Sequence, residues 1–148
     1  YSLWFVVNFN SVNQNFMATI QKFEDLQVWQ LARQVSQRVY PLTFEEPIAK
    51  DFRFKDQIRG TCGSIMDNIA EGFERGSKLE FINALTIAKG EAGELKSQLY
   101  RGLDNNYFSR ALFDELYELV DRIPKMPTSL INYLNRTDIR GQKFKERS

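Results

Sequence analysis

Four carboxylates in the stretch 67–80 have the most evident capacity for chemistry: Asp67, Glu71, Glu74 and Glu80. Asp67 and Glu71 are four residues apart and would share one face of a helix. Such a cluster can bind Mg²⁺ or supply an acid and a base. The alternative is structural, because Glu80 follows Ser77 at the spacing of a helix capping box, Glu74 is next to Arg75 in the chain and the other carboxylates are solvated. We favour the structural interpretation.

Histidine is absent from the 148 residues. Its absence removes the usual general base, the histidine of nucleophile triads and histidine-ligated metals. Neither Ser64 nor Ser77 has the G-x-S-x-G context of an activated nucleophile. The single cysteine, Cys62, excludes an internal disulfide and a thiolate metal cluster. We therefore expect a protein that is not an enzyme and has no catalytic residue, cofactor or metal.

The composition is that of one globular domain with nearly balanced charge. Apolar residues make up 43% of the chain, charged residues 26%, and the formal net charge is +1. A balance so close to zero gives no overall attraction to nucleic acid or to a membrane. One free cysteine suits the reducing cytosol, where we place the protein.

The two ends of the chain differ from its middle. Residues 1–16 carry no charge, and their apolar run Leu3–Val7 is too short to cross a bilayer and lacks the basic start of a signal peptide. We interpret 1–16 as an extension outside the fold, with a short packing arm as the alternative, and Met17 as an ordinary start. The predicted domain is 17–135. Residues 136–148 carry five basic and two acidic side chains, which predicts a basic, flexible tail.

Apolar residues recur every three or four positions in four segments, and none of these shows the sustained alternation of a strand. The predicted helices span about residues 24–40, 52–75, 77–101 and 109–134. Short connections between amphipathic helices of this length favour antiparallel neighbours. The predicted fold class is all-α, an antiparallel up-down-up-down four-helix bundle.

Capping residues indicate where these helices begin and end. The expected N-caps are Asp51, Ser77 and Ser109. Gly76 occupies the position of a left-handed residue that ends the second helix. Pro124 and Pro127 lie inside the fourth helix, where each lacks an N–H and clashes with the preceding turn. We therefore predict a kink or a split near 123–127.

Four glycines lie in the interiors of the second and third helices: Gly60, Gly63, Gly90 and Gly93. Each costs about 1 kcal/mol relative to alanine, so a close approach by another backbone is the expected reason for its presence. We favour tight packing between the two helices of one subunit, with contact to a second subunit as the alternative. The candidate residues of a subunit interface are Asn68, Gly72, Phe73, Gly90, Gly93 and Tyr100.

Basic side chains are candidates for contact with nucleic acid. They are Arg53, Lys55, Arg59, Arg75, Lys78, Lys89 and Lys96 in the helices and Arg140, Lys143 and Lys145 in the tail. On a monomer of this net charge they form an ordinary solvated surface. In a ring of identical subunits each cation is repeated on one face, which can create a phosphate-binding patch.

Several stretches together resemble a known bacterial family. They are FEDLQVWQLA (23–32), DQIRG (56–60), SIMDNIAEGFERGSKLEF (64–81), LTIAKGEAGELKSQLY (85–100), INYLN (131–135) and IRGQKFK (139–145). These resemble the four-helix bundle proteins encoded within intervening sequences of 23S ribosomal RNA genes. The accessory variability protein of diversity-generating retroelements is similar in architecture. The chain departs from the pattern at Pro124 and Pro127, and at Glu91, where a small polar residue is expected.

The resemblance implies a homo-oligomer, typically a pentameric barrel of bundles around a central channel. It implies a poorly defined function, with contacts to nucleic acid or reverse transcriptase in the retroelement relatives. Our hypothesis is a non-enzymatic, cytosolic homopentamer that binds structured RNA or a nucleoprotein partner. The alternative is a protein-interaction scaffold without nucleic acid. We expect neither a membrane partner nor a small-molecule substrate.

Overall fold

The computed structural model describes residues 20–136, within which all regular structure is helical. The four α-helices are α1 (Gln27–Val39), α2 (Phe52–Glu74), α3 (Lys78–Asp104) and α4 (Arg110–Arg136). Short 3₁₀ turns occupy Phe23–Asp25, Tyr40–Phe44 and Ile48–Lys50. The prediction of an all-α fold with four helices is confirmed for this part of the chain. The predicted N-terminal extension and most of the predicted tail lie outside the described residues.

Each helix packs against the next one in the chain, and α1 also packs against α4. This is the set of neighbours expected of an up-down bundle. The apolar residues that predict α1, α2 and α3 are buried in one continuous core. On α4, Phe113 and Val120 are buried in the core, whereas Leu112 and Leu119 are half-buried at its edge.

The predicted caps are confirmed. The Asp51 carboxylate accepts a hydrogen bond from the backbone N–H of Phe54 at 3.1 Å. The hydroxyls of Ser77 and Ser109 accept from the N–H groups three residues further on, at 3.4 and 3.1 Å. Gly76 has a φ of 75°, the left-handed conformation that glycine adopts without steric cost. Local sequence alone therefore defines where these helices begin and where α2 ends.

The split predicted for the fourth helix does not occur, because α4 runs as one helix through Pro124 and Pro127. A proline inside a helix costs about 3 kcal/mol or more. Burial on both sides offsets that cost, since Val120 and Ile123 before the prolines and Leu130 after them are all buried in the core. The packing of α4 against the other helices therefore outweighs the tendency of Pro124 and Pro127 to break it.

Tight packing between α2 and α3 occurs at a different glycine from those favoured by the sequence. A Cβ added at Gly72 would lie 2.2 Å from the Cβ of Ala84, so only glycine allows this approach. At the four predicted glycines, an added Cβ meets no atom within 4 Å. The expectation of tight intrasubunit packing is therefore wrong for Gly60, Gly63, Gly90 and Gly93.

Candidate nucleic-acid and subunit interfaces

Two of the four carboxylates around the α2–α3 turn are paired with an arginine. The Arg75 guanidinium forms ion pairs with Glu71 and, at 3.5 Å, with Glu80. The hydrogen bond and the charge of Glu71 raise the pKa of Arg75. Within residues 20–136, no group of three or more potential metal-ligating side chains could hold a metal ion. The ion pairs fit the structural interpretation of these carboxylates.

The predicted basic residues within 20–136 differ in their surroundings. Lys96 of α3 contacts Asp121 of α4 at 2.7 Å, and this hydrogen bond raises the pKa of the Lys96 ammonium group. Arg75 is engaged at the α2–α3 turn, as described above. Lys89 is exposed on α3, and Lys78 is half-buried in its first turn. Arg140, Lys143 and Lys145 lie outside the described residues.

Arg53, Lys55 and Arg59, by contrast, lie within two turns of each other near the start of α2. The Arg59 guanidinium carbon is 4.5 Å from the ring centroids of both Tyr40 and Phe44. Its Nε donates a hydrogen bond to the Thr43 hydroxyl at 2.7 Å. The 3₁₀ turn Tyr40–Phe44 thus packs two aromatic rings against a cation of α2.

A third ring extends this arrangement along α2. The Lys55 ammonium nitrogen is 4.8 Å from the centroid of the Phe52 ring. Phe44 and Phe52 are 64% and 68% exposed, unusually high values for phenylalanine, and Tyr40 is also exposed. We name these five residues the aromatic–cation patch: Tyr40, Phe44, Phe52, Lys55 and Arg59.

A hydrogen bond from another part of the bundle fixes the start of α2 beneath the patch. The Tyr107 hydroxyl, in the α3–α4 connection, donates to the second carboxylate oxygen of Asp51. This bond is the largest cause of a lowered pKa of Asp51, and the hydrogen bond from the Phe54 N–H is the second largest. The same bond raises the pKa of Tyr107. Asp51 therefore both caps α2 and anchors it to the far end of α3.

Three of the predicted interface residues are engaged inside the chain. Phe73 is 0% exposed, and Gly72 is buried against Ala84. Asn68 donates a hydrogen bond to Glu91 at 2.8 Å, which joins α2 to α3. Phe73 and Gly72 have no surface to offer a second subunit, so their prediction as interface residues does not fit this structure.

The other three predicted interface residues lie at the surface. Gly90 and Gly93 are exposed on the outer side of α3. Tyr100 is about half exposed, and its ring lies 4.9 Å from that of Phe113 and 5.6 Å from that of Tyr117. These residues are accessible to a partner.

The family model for the 23S rRNA-intervening sequence protein matches residues 24–129, well over half of the chain. The chain belongs to the 23S rRNA-intervening sequence protein family. The match covers α1, α2, α3 and most of α4. The resemblance predicted from the sequence is thus confirmed.

A solved structure supports the same assignment. It is a protein of unknown function from the S23 ribosomal protein family of Bacteroides thetaiotaomicron VPI-5482, with 28% identity and a TM-score of 0.64. The similarity covers 70% of this chain and 97% of that one. A comparison with curated proteins finds no match. Among the described residues of this family member, no helix is long and apolar enough to cross a membrane.

The aromatic members of the patch were missed by the sequence reasoning. Tyr40 and Phe44 lie in a 3₁₀ turn, where no helical periodicity separates buried from exposed positions. Phe52 opens α2 on the side away from the core stripe. The available signal was four aromatic residues among charged ones in the stretch 40–59: Tyr40, Phe44, Phe52 and Phe54.

Proposed function

We propose that this intervening-sequence protein is a non-enzymatic, homo-oligomeric bundle that binds structured RNA or a protein bound to RNA. The observation that carries the proposal is the grouping of Arg53, Lys55 and Arg59 at one end of α2, whereas Arg75 and Lys96 are engaged in ion pairs. Lys55 and Arg59 are four residues apart and share one side of α2, and together with Arg53 at the same end of the helix they can contact phosphates. The family assignment supports an RNA-related role by analogy.

We also propose that the protein acts in the cytosol, because a chain with one cysteine and therefore no internal disulfide suits a reducing compartment. Its single cysteine is buried, and burial raises the pKa of the Cys62 thiol to about 12. Such a thiol stays protonated and unreactive at neutral pH. The side chain acts as a small apolar core residue rather than as a nucleophile.

Binding to RNA should depend on salt and on the α2 cations. With about three phosphates contacted, log K should fall with log salt concentration with a slope of about −2 to −3. The double substitution Arg53→Gln and Lys55→Gln should weaken binding and reduce the size of that slope by about 2. Gel-shift titration of an RNA stem-loop over a range of salt concentrations measures both effects.

Lys125→Gln is the matched control, because Lys125 is an exposed cation on α4 that pairs with Asp121 at 3.1 Å. We expect it to leave RNA affinity nearly unchanged. No binding even at low salt, or binding that ignores salt, would contradict the electrostatic proposal.

We propose that the oligomer is a pentamer, as the family resemblance implies, and that Gly90 and Gly93 lie in its subunit contacts. The support is that these glycines weaken α3 by about 1 kcal/mol each without serving any close contact inside the chain. Small residues on an outer helix face allow a neighbouring backbone to come close.

Gly90→Leu tests this interface. A Cβ added at Gly90 lies in open space, with no atom of another turn or helix within 4 Å, so we expect the helical circular dichroism to be unchanged. We expect the molar mass from light scattering to fall toward that of the 17.4 kDa monomer. Lys89→Leu, at the adjacent exposed position, should retain the assembly. A monomeric wild type, or an unchanged mass in Gly90→Leu, would refute the interface.

A scaffold that binds protein without RNA is the second candidate. The ring cluster of Tyr100, Phe113 and Tyr117 favours it, because half-exposed tyrosines are common at protein interfaces. Affinity capture from a nuclease-treated lysate separates the two candidates. A partner retained without RNA and lost in Tyr100→Ala supports the scaffold.

A further inference from the structure

We infer that the aromatic–cation patch binds unpaired nucleotides, so that the protein recognises a single-stranded segment of its RNA rather than a duplex. This inference rests on the proposed function and names the nucleic-acid conformation that the site takes. Its basis is the combination of exposed rings and cations on one surface: Tyr40, Phe44, Phe52, Lys55 and Arg59.

The rings of the patch match the flat faces of free bases. Phe44 and Phe52 each expose about two thirds of their surface to solvent. Every nucleotide base has a π-face, so stacking on such rings is favourable and tolerant of sequence. In a duplex the bases are stacked inside and the grooves present edges and phosphates. Exposed rings therefore favour strands whose bases are free.

The cations of the patch lie where the phosphates of such a strand would pass. Lys55 and Arg59 are each within 5 Å of a ring centroid, so a strand whose base stacks on that ring carries its phosphate near a cation. Arg59 is held in place by the Thr43 hydroxyl, which reduces the entropy lost on binding. Arg53, in the first turn of α2, adds a third positive charge at this end of the helix but on another side of it from Lys55.

The acidic residues in the same stretch leave the patch only weakly basic. Glu46 pairs with Lys50 at 3.8 Å, and Asp51 accepts from Tyr107 and from the Phe54 N–H. Glu45 and Asp56 add further exposed carboxylates. Charge alone thus attracts a phosphate backbone weakly here, and base stacking must supply much of the affinity. This balance distinguishes the patch from a duplex-binding surface, on which phosphate contacts dominate.

The test compares two RNA probes by fluorescence anisotropy with the full chain. One is a labelled oligouridine of about 12 nucleotides, within the usual site size of single-strand binders, and the other is a blunt duplex of equal length. We expect at least a tenfold preference for the single strand. Phe44→Ala and Phe52→Ala should each weaken oligouridine binding by about tenfold, since one stacked base contributes on this scale.

Two further variants serve as controls. Leu79 is 67% exposed at the start of α3, at the opposite end of α2 from Phe52, so Leu79→Ala removes an equally exposed apolar side chain outside the patch. It should leave binding unchanged. Phe44→Trp should retain binding, and its added indole emission should be quenched by a stacked base, an effect that a purely structural role would not produce.

The outcomes separate the inference from the proposed function. If the protein binds the stem-loop but has equal affinity for oligouridine and the duplex, the single-strand inference is overturned and RNA binding is retained. The same conclusion follows if Phe44→Ala and Leu79→Ala change binding equally. Absence of binding to stem-loop and oligouridine alike overturns both. A protein partner that survives nuclease treatment and is lost only in Phe44→Ala overturns the inference by assigning the patch to protein.

Discussion

Phe73→Ala is expected to lower the free energy of unfolding by about 3–5 kcal/mol, a large share of the roughly 5–15 kcal/mol of a typical domain. Phe73 is fully buried near the end of α2, and its ring meets that of Phe81 edge-on at 5.6 Å. Phe73 precedes the α2–α3 turn and Phe81 follows it, so the contact between their rings joins the two helices. Truncation removes this contact and leaves a cavity that rigid neighbours cannot fill.

Urea denaturation followed by circular dichroism measures the loss, at several protein concentrations because assembly adds to apparent stability. Phe52→Ala is the matched control, since the Phe52 side chain is 68% exposed and its removal should change stability by less than about 0.5 kcal/mol. If the Phe73→Ala protein had normal stability but a reduced molar mass, the core position would be contradicted. Phe73 would then have to lie in the subunit interface.

Gly72→Ala is expected to destabilise the fold by about 2 kcal/mol, although alanine is the better helix former by about 1 kcal/mol. The reason is the 2.2 Å approach of the new Cβ to the Cβ of Ala84, far inside van der Waals contact. The backbone oxygen of Glu80, 3.4 Å away, limits movement on the other side. Overpacking therefore outweighs the gain in helix propensity.

The second substitution Ala84→Gly should restore part of the stability lost in Gly72→Ala, because it removes the opposing methyl group. Thermal or urea unfolding of both single variants and the double variant gives the coupling free energy. Gly60→Ala is the control at a position with open space, and it should stabilise the helix by up to about 1 kcal/mol. A Gly72→Ala protein as stable as Gly60→Ala would show that α2 and α3 are further apart than described.

The helices could be predicted because the signals that define them are local. Ile58, Ile65 and Ile69 recur at the helical period, and all three are buried. Asp51 caps α2 through the N–H of Phe54, three residues away. Such features need no knowledge of the tertiary fold. The split predicted at Pro124 does not occur because the burial that holds α4 together is supplied by other helices.

The candidate surfaces were harder to predict, because exposure depends on what lies across the bundle. Gly72 and Gly90 have the same local character, yet one meets Ala84 and the other meets nothing. Lys96 and Lys55 were equally plausible phosphate contacts, but Asp121, 25 residues further along the chain, neutralises the first. The ring partners of Arg59 come from a preceding turn whose conformation the sequence does not reveal.

The hydrogen bond between Asn68 and Glu91 has an evolutionary consequence. Asn68 lies in one of the stretches that resemble the family, and Glu91 stands where the resemblance leads us to expect a small polar residue. Because the Asn68 amide donates to the Glu91 carboxylate across the α2–α3 seam, a change at either position removes a partner from the other. Among relatives, positions 68 and 91 should therefore change in concert.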